Sequence, residues 1–177
     1  MTDTTTQKRG ADHLVDGLAA LGIDTVYSLS GNQIMPVYDA MIGSGLRLVH
    51  TRHEAAAVHM AEADAQLTDR VGVALLTAGP GFANGLSAIF TAQQSQTPAL
   101  VLTGDAPLAR DGHGAFQEMD QLTAAGAFAK ASIKLARAED AFDLIRDAAA
   151  FARGGTPGPV HISLPDDVLR KTTGRDG

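Results

Sequence analysis

One acidic residue stands at the start of a run of small apolar residues, in the segment HEAAAVHM. Glu54 is followed by three alanines and then by Val58. A carboxylate among apolar neighbours is costly unless a partner binds its charge or its proton. The segment therefore predicts one of two things. Glu54 either exchanges a proton with a bound ligand, or it occupies the first turn of a helix, where the helix dipole favours a negative charge.

A glycine-rich turn with the sequence TAGPGFANG follows a strongly apolar stretch. Gly79 and Gly81 permit tight or left-handed backbone geometry, and Pro80 stiffens the turn. The helix that follows would direct free N–H groups at an anion or a polar ring. The pattern is close to the dinucleotide fingerprint G-x-G-x-x-G, with Asp105 placed as a ribose-binding acid, but Asn84 stands where the third glycine belongs. This turn alone leaves open a packing turn, a dinucleotide site and a site for another ligand.

A second glycine-flanked loop, GHGAFQEMD, follows the next apolar stretch of the chain. It places His113, Gln117, Glu118 and Asp120 near the edge where the other turns are expected. Taken alone, the loop could equally be a solvated surface segment, because polar side chains are common in loops.

The histidines do not form a metal-binding pattern. His53 and Glu54 begin like the zinc motif H-E-x-x-H, but position 57 is alanine and His59 lies six residues after His53, on another face of a helix. We therefore expect no metal site in this chain. The segment SLSGN, which contains Ser30, does not match G-x-S-x-G, so a serine hydrolase is not expected either.

The composition is that of an ordinary globular domain. The chain has 177 residues, 45% of them hydrophobic, which fits one domain with a sizeable core. The net charge of −6, without a basic cluster, argues against nucleic-acid binding, and the absence of cysteine excludes disulfides and thiol catalysis. The polar start MTDTTTQKRG does not resemble a signal peptide, and no apolar run is long enough to span a membrane. The expectation is a cytoplasmic protein.

Helical and strand patterns alternate along the chain and must position these residues. The alternation predicts a three-layer α/β/α fold with a mostly parallel twisted sheet of about six strands. Ligands in such sheets bind at the carboxyl ends of the strands, where the turns described above are expected. We predict a disordered tail over residues 1–9, one domain over residues 10–168, and a linker or C-terminal tail over residues 169–177.

Five segments in order resemble the N-terminal pyrimidine-binding domain of thiamine-diphosphate enzymes, with the acetolactate synthase group most similar. The segments are GADHLVDGLAALGIDTVYSLSGNQIMPVYDAM, TRHEAAAVHMAEADAQ, TAGPGFANGLSAIFTAQQSQTPALVLTGDAP, GAFQEMDQ and GGTPGPVHISLPDDV. The resemblance covers residues 10–168. Each motif is a modest signal, but five in the same order are a strong one.

The resemblance implies a partner for Glu54. In this family the matching glutamate hydrogen-bonds N1′ of the cofactor's aminopyrimidine and exchanges a proton with it. The ring then removes the proton from C2 of the thiazolium, which attacks a 2-keto acid and stores the electrons when carbon dioxide leaves. By the same resemblance Gln117 lies near the reacting centre. The other expected cofactor contacts come from two turns, at Ser30, Gly31, Pro80 and Asn84.

The chain also departs from the family pattern. Acetolactate synthases usually have Y-P-G-G where this chain has SLSGN, which weakens an assignment to acetolactate synthase itself. The family binds the cofactor's diphosphate and Mg²⁺ in a second domain, through G-D-G followed by N-N, and this sequence has no N-N. We therefore expect half a site, in a piece of a longer enzyme or in the small subunit of a split enzyme such as sulfopyruvate decarboxylase.

The expected partners are a diphosphate-binding domain or subunit, a second copy of the chain or another chain, and a small 2-keto acid. The resemblance does not fix whether a flavin binds elsewhere. Two other interpretations stay open at this point. One is a non-catalytic module of the same fold that binds partners, and the other is a dinucleotide-binding domain.

Overall fold

The computed structural model describes residues 7–173, so most of the tail predicted over residues 1–9 and the last four residues of the segment 169–177 lie outside the description. The strands are β1 (Lys8–Arg9), β2 (Thr25–Ser28), β3 (Arg47–His50), β4 (Gly72–Leu76), β5 (Ala99–Asp105), β6 (Ala131–Lys134), β7 (Pro159–Pro165) and β8 (Thr172–Thr173). The α-helices are α1 (Gly10–Ala20), α2 (Met35–Met41), α3 (Glu54–Thr68), α4 (Pro80–Gln94), α5 (Gln121–Gly126), α6 (Ala141–Arg153) and α7 (Asp166–Arg170).

Six strands form one sheet in the order β3-β2-β4-β5-β7-β6, and every neighbouring pair is parallel. The strand order reverses at β2: β3 lies on one side of it and β4 on the other. In the register of this region, Ser28 is opposite both His50 and Leu75. The predicted mostly parallel sheet of about six strands is confirmed, and the turns after its strands share one edge. A ligand site is expected where the order reverses.

Helices cover both faces of the sheet, as a three-layer fold requires. On one face, α1, α2, α6 and α7 pack on the strands through a core that includes Leu14, Leu18, Ile145 and Leu169. On the other face, α3, α4 and α5 pack through a second core that includes Phe82. Glycine permits the close contact of α3 with β4, because a Cβ at Gly72 would lie 1.9 Å from the carbonyl oxygen of Ala61.

The two ends of the described chain differ from the prediction of tails. Lys8 and Arg9 form β1, which pairs antiparallel with Thr172–Thr173. The guanidinium of Arg9 bridges Asp12 at 2.9 Å and Asp39 at 2.7 Å, and these hydrogen bonds, that to Asp12 foremost, raise the pKa of Arg9. The ribbon and the Arg9–Asp39 ion pair join segments far apart in sequence, so no local pattern predicts them.

Two short helices were not predicted from the sequence pattern. α5 has six residues, and the side chain of Asp120 caps it by accepting a hydrogen bond from the backbone N–H of Thr123 at 3.1 Å. α7 has five residues and directly follows β7. Helices of this length are too short for a helical period to emerge in the sequence.

His161 on β7 is fully buried, with β5 on one side of its strand and β6 on the other. Its Nε2 is 2.8 Å from the hydroxyl of Thr103 and its Nδ1 is 2.7 Å from the hydroxyl of Ser132, while its ring lies 5.1 Å from that of Phe82. Burial lowers the pKa of His161 from 6.5 to about 4. His161 is therefore neutral in the folded protein at neutral pH, with both ring nitrogens paired to hydroxyl groups.

We predict that His161 makes the protein less stable in mild acid. The unfolded chain takes up a proton near pH 6.5, whereas the folded protein does so only near pH 4. The free energy of unfolding should therefore fall as the pH drops from about 6.5 to about 4, by up to about 3 kcal/mol from this residue. Urea unfolding across this range should have a weaker pH dependence in His161→Gln than in the wild type.

His113→Gln is the matched control for this experiment, because His113 lies in an exposed loop. It should keep the pH dependence of the wild type. An unchanged dependence in His161→Gln would contradict the prediction, since the acid sensitivity would then come from other groups.

Within residues 7–173, no helix is both long enough and apolar enough to cross a membrane.

Candidate functional site

The turns after β2, β3, β4 and β5 meet at the carboxyl edge of the sheet, next to the point where the strand order reverses. They bring together Gly31, Glu54, Thr77 and Gln117. The clearest sign of their closeness is steric: a Cβ at Gly31 would lie 2.2 Å from both Cβ and Oγ1 of Thr77. The segments that sequence analysis selected as candidate sites therefore do converge in space.

Glu54 is the first residue of α3, and its side chain is only 7% exposed. His53 caps this helix, since its Nδ1 accepts a hydrogen bond from the backbone N–H of Ala55 at 3.1 Å. Glu54 Oε2 accepts a hydrogen bond from Nδ2 of Asn84 at 3.0 Å. Among the described residues no group hydrogen-bonds Oε1. The carboxylate thus has one oxygen held by the protein and one left for a ligand.

Glycines form the surface next to this free oxygen. A Cβ at Gly81 would lie 3.2 Å from Glu54 Oε1 and 2.5 Å from Cγ2 of Thr77. At Gly79 the backbone has φ of +55°, a conformation that glycine adopts without strain. Both glycines are buried, and a Cβ at either would overlap Gln117 or Thr77, so no side chain would fit at these positions beside Glu54.

The two cofactor contacts expected in the TAGPGFANG turn, Pro80 and Asn84, play different parts. Pro80 is the first residue of α4 and is exposed at the rim. Asn84 lies one turn further along α4 and reaches Glu54, so it contacts the carboxylate rather than only packing near a ring. Ser30 is exposed as well, and its hydroxyl lies 3.3 Å from Nε2 of His50.

Gln117 belongs to a chain of three polar side chains, two of which sequence analysis did not single out. The hydroxyl of Thr77 donates to Oε1 of Gln33 at 2.8 Å, and Nε2 of Gln33 donates to Oε1 of Gln117 at 2.9 Å. Gln33 is 5% exposed. Thr77 is the first residue of the TAGPGFANG turn, and Gln33 lies two residues after Gly31, so both belong to turns that the sequence already placed at this edge.

Hydrogen bonds within the loop GHGAFQEMD stabilise its conformation. Glu118 accepts hydrogen bonds from the backbone N–H groups of Ala115 and Gly112, which lower the pKa of its carboxyl group. His113 is exposed, and Asp120 caps α5. Of the four polar residues in this loop, only Gln117 takes part in the hydrogen-bonded series Thr77–Gln33–Gln117 beside Glu54.

Asp105 faces the interior of the domain. It is 2% exposed, and its carboxylate accepts hydrogen bonds from the hydroxyl of Ser163 at 2.5 Å and from the backbone N–H of Ala106 at 2.8 Å. The ammonium group of Lys134 lies 3.3 Å away. Asp105 is the acid that the dinucleotide pattern would use, and both of its carboxylate oxygens thus accept hydrogen bonds from within the protein.

The described residues contain no group of three or more His, Asp or Glu side chains that could hold a metal ion. His53 caps α3, and His59 lies 3.3 Å from the carboxylate of Glu62 on the same helix.

A family model covers the part of the chain that contains this arrangement. The model described as "Thiamine pyrophosphate enzyme, N-terminal TPP binding domain" matches residues 8–124, which include every candidate site residue named above.

Curated proteins with similar sequences fall into two groups. The human protein named 2-hydroxyacyl-CoA lyase 2 is 40% identical over 167 residues, which are 94% of this chain and 26% of that protein. The probable acetolactate synthase large subunit of Methanocaldococcus jannaschii is 37% identical over 160 residues, 90% of this chain and 27% of that protein. The acetolactate synthase large subunit of Buchnera aphidicola is 36% identical over 165 residues, 92% of this chain and 29% of that protein. The chain thus spans between a quarter and a third of the length of these relatives.

We predict that Gly31→Ala destabilises the domain and disturbs the site. The new Cβ would overlap Thr77, and relieving such overlap in packed structure typically costs about 1–3 kcal/mol. Urea unfolding should therefore show a lower free energy of unfolding than in the wild type. Gly126→Ala is the matched control, because a Cβ there meets nothing within 4 Å. Equal losses in the two variants would contradict the steric explanation.

Proposed function

Since the chain belongs to the family of thiamine pyrophosphate enzymes, by its N-terminal TPP binding domain, we propose that Glu54 is the residue through which it acts on the cofactor. The chain would be the pyrimidine-binding part of an enzyme that makes or breaks the bond between a carbonyl carbon and its neighbouring carbon. The observation that carries this proposal is the buried Glu54 carboxylate, with Oε2 held by Asn84 and with Oε1 next to Gly81 and not hydrogen-bonded by any described residue.

The residues present fit the pyrimidine half of thiamine pyrophosphate. An aminopyrimidine is flat and has a ring nitrogen that can share a proton with a carboxyl group. Glu54 Oε1 accepts no hydrogen bond from the described residues, and Gly81, where an added Cβ would lie 3.2 Å from it, has no side chain that could cover it. When bound, the cofactor supplies a thiazolium carbon that attacks carbonyl groups and accepts the electrons of a broken carbon–carbon bond.

Each residue of this chain then has a defined task. Glu54 holds and exchanges the proton at N1′ of the pyrimidine. Asn84 keeps the carboxyl group turned toward the ring, because its amide donates to Oε2. Gly31 and Pro80 shape the two turns on either side of the ring, with Ser30 at the exposed rim. Gln117 lies on the side where the substrate would react.

The diphosphate and Mg²⁺ require groups that this sequence does not supply in the family's pattern. We propose that a separate domain or subunit holds them, as the much greater length of the relatives suggests. The chain alone would accordingly bind the cofactor weakly and turn over no substrate, because the charged diphosphate provides most of the anchoring interactions.

Two substrate classes are compatible with the relatives' names. One is a 2-keto acid, decarboxylated and joined to a second carbonyl compound, in line with the acetolactate synthases. The other is a 2-hydroxyacyl-CoA, cleaved next to its hydroxyl-bearing carbon, in line with 2-hydroxyacyl-CoA lyase 2. Assaying the complete assembly with pyruvate and with a 2-hydroxyacyl-CoA separates the two, since the first reaction releases carbon dioxide and the second releases an aldehyde.

We predict that Glu54→Gln in the complete assembly abolishes most of the turnover and leaves the fold intact. Glutamine keeps the size of the side chain but cannot exchange a proton with N1′. The rate of deuterium exchange at C2 of the bound cofactor, and kcat with it, should fall by about 10²-fold or more. The free energy of unfolding should hold or rise slightly, because an ionisable group leaves a buried position.

The measurement is proton exchange at C2, followed by NMR after quenching in acid, in the wild type and the variant. Glu139→Gln is a suitable control, because that carboxylate is exposed and lies 3.5 Å from the guanidinium of Arg137, outside the turns of the site. Equal C2 exchange in the wild type and Glu54→Gln would remove Glu54 from the chemistry and leave it the role of a helix-terminal acid.

We further propose that the exposed face of α3 and α4 is a surface for pairing with a second copy of the chain. Small side chains such as Ala63 and Ala83 let another helix approach closely, and Met60 and Phe90 remain 40% and 47% exposed. Exposed apolar side chains of this size are common at interfaces between subunits. The face adjoins Glu54, so that a site completed there would lie between two chains.

We predict that Phe90→Asp weakens self-association by at least about 10-fold in dissociation constant, because pairing would bury an unpartnered charge. Sedimentation velocity over a range of concentrations measures the effect. Ile42→Asp is the matched control, since Ile42 is 80% exposed and follows α2 on the opposite layer. A wild-type chain that stays monomeric at high concentration argues against this pairing surface.

A further inference from the structure

We propose that Thr77 and Gln33 form a hydrogen-bonded relay that orients the side-chain amide of Gln117, so that Gln117 offers an N–H donor to an oxygen atom of the reacting substrate. The inference rests on the proposed function and extends it. It assigns roles to two residues that sequence analysis did not single out and states what kind of substrate atom faces Gln117.

The chemistry of the three side chains sets the direction of the relay. A carboxamide has one accepting end and one donating end. The Thr77 hydroxyl donates to Oε1 of Gln33, which leaves the amino group of Gln33 to donate to Oε1 of Gln117. The accepting end of Gln117 is thereby occupied, and its amino group is the end that remains for a ligand. An amino group donates to carbonyl, hydroxyl or carboxylate oxygen and cannot accept from a hydroxyl group.

Two glycines make room for this relay. A Cβ at Gly104 on β5 would lie 2.7 Å from Cβ of Gln33, and a Cβ at Gly31 would lie 2.2 Å from the hydroxyl oxygen of Thr77. Gln33 is also buried, so both ends of its amide need partners inside the protein. Packing and hydrogen bonding together hold the Gln33 side chain in one place, which is what a positioning residue requires.

The backbone of Gln117 is constrained as tightly as its side chain. Its φ is +62°, a left-handed conformation that residues other than glycine rarely adopt. Its carbonyl oxygen lies against the turn after β4, where a Cβ at Gly79 would approach it to 2.7 Å. Glu118 ties the same loop through the backbone N–H groups of Ala115 and Gly112. Strained backbone that the surroundings hold in this way is found at ligand sites.

The first arm of the test uses the chain as it is and needs no activity. Side-chain amide signals of Gln33 and Gln117 are assigned by NMR, and their exchange with water is measured. In the wild type the amino group of Gln33 should be protected and that of Gln117 should exchange freely. In Gln33→Glu the carboxylate can only accept, so the Gln117 amide should turn and its amino group should become protected. Protection of the Gln117 amino group already in the wild type would overturn the proposed orientation.

The second arm uses the complete assembly. Gln33→Glu should lower kcat/KM by at least about 10-fold, because Gln117 would present its carbonyl oxygen to an oxygen of the substrate. Proton exchange at C2 of the cofactor should stay within about twofold of the wild type, since Glu54 and Asn84 are unchanged. Thr77→Val should lower kcat/KM in the same way, and Thr77→Ser, which keeps the hydroxyl, should restore it.

A double variant separates the relay from a general effect on the fold. In a Gln117→Ala background, Gln33→Glu should cause no further loss of kcat/KM, because the group it orients is gone. Losses that add in the double variant, or a Gln33→Glu enzyme as active as the wild type, would overturn the relay. If the wild-type assembly itself lacks C2 exchange, the proposed function fails, while the NMR arm still decides the orientation of Gln117.

Discussion

The candidate site depends on one steric constraint, the close approach of the turn after β2 to the turn after β4. These turns follow neighbouring parallel strands at the point where the strand order reverses, and Gly31 lies directly against Thr77. Any side chain at Gly31 would push the turns apart. Since Thr77 also bonds Gln33 and borders Gly81, such a shift would reach both the polar chain that ends at Gln117 and the surface beside Glu54.

Glu54 shows how the fold places a carboxylate in a poorly solvated position. The residue begins α3, where the helix dipole favours its negative charge, and it has one strong hydrogen bond, from Asn84 on the neighbouring helix α4. The two explanations that the sequence left open are therefore not exclusive. The helix terminus makes the burial tolerable, and the proton exchange proposed for Glu54 would use Oε1, which accepts no hydrogen bond from the described residues.

The sheet and most helices could be predicted because their signals are local. Alternating apolar runs and glycine turns mark β2 to β7. The edge of the sheet on which the site lies follows from the parallel topology alone. Local patterns did not predict α5, α7 or the pairing of β1 with β8, since these depend on capping and on contacts between distant segments.

The same division holds for the candidate site. Glu54 and the glycine turns could be selected because an acid beside alanines and a Gly-Pro-Gly turn are unusual in sequence. Gln33 and Thr77 could not, since only the folded arrangement joins a buried amide on one turn to a hydroxyl on another. Asn84 was selected for packing against a ring, and its hydrogen bond to Glu54 was visible only in three dimensions.

The ribbon of β1 and β8 has a mechanical consequence. It brings Lys8 and Thr173 side by side, so that any chain continuing outward from both residues leaves the domain at a single corner. A pulling force between two such continuations would break the pairing of β1 with β8 one residue pair at a time, starting at Lys8 and Thr173. The six-stranded sheet would bear the force only after that. The first contacts to break under tension would thus be the β1–β8 pairing and the ion pairs of Arg9. Until they broke, the turns around Glu54 would keep their spacing.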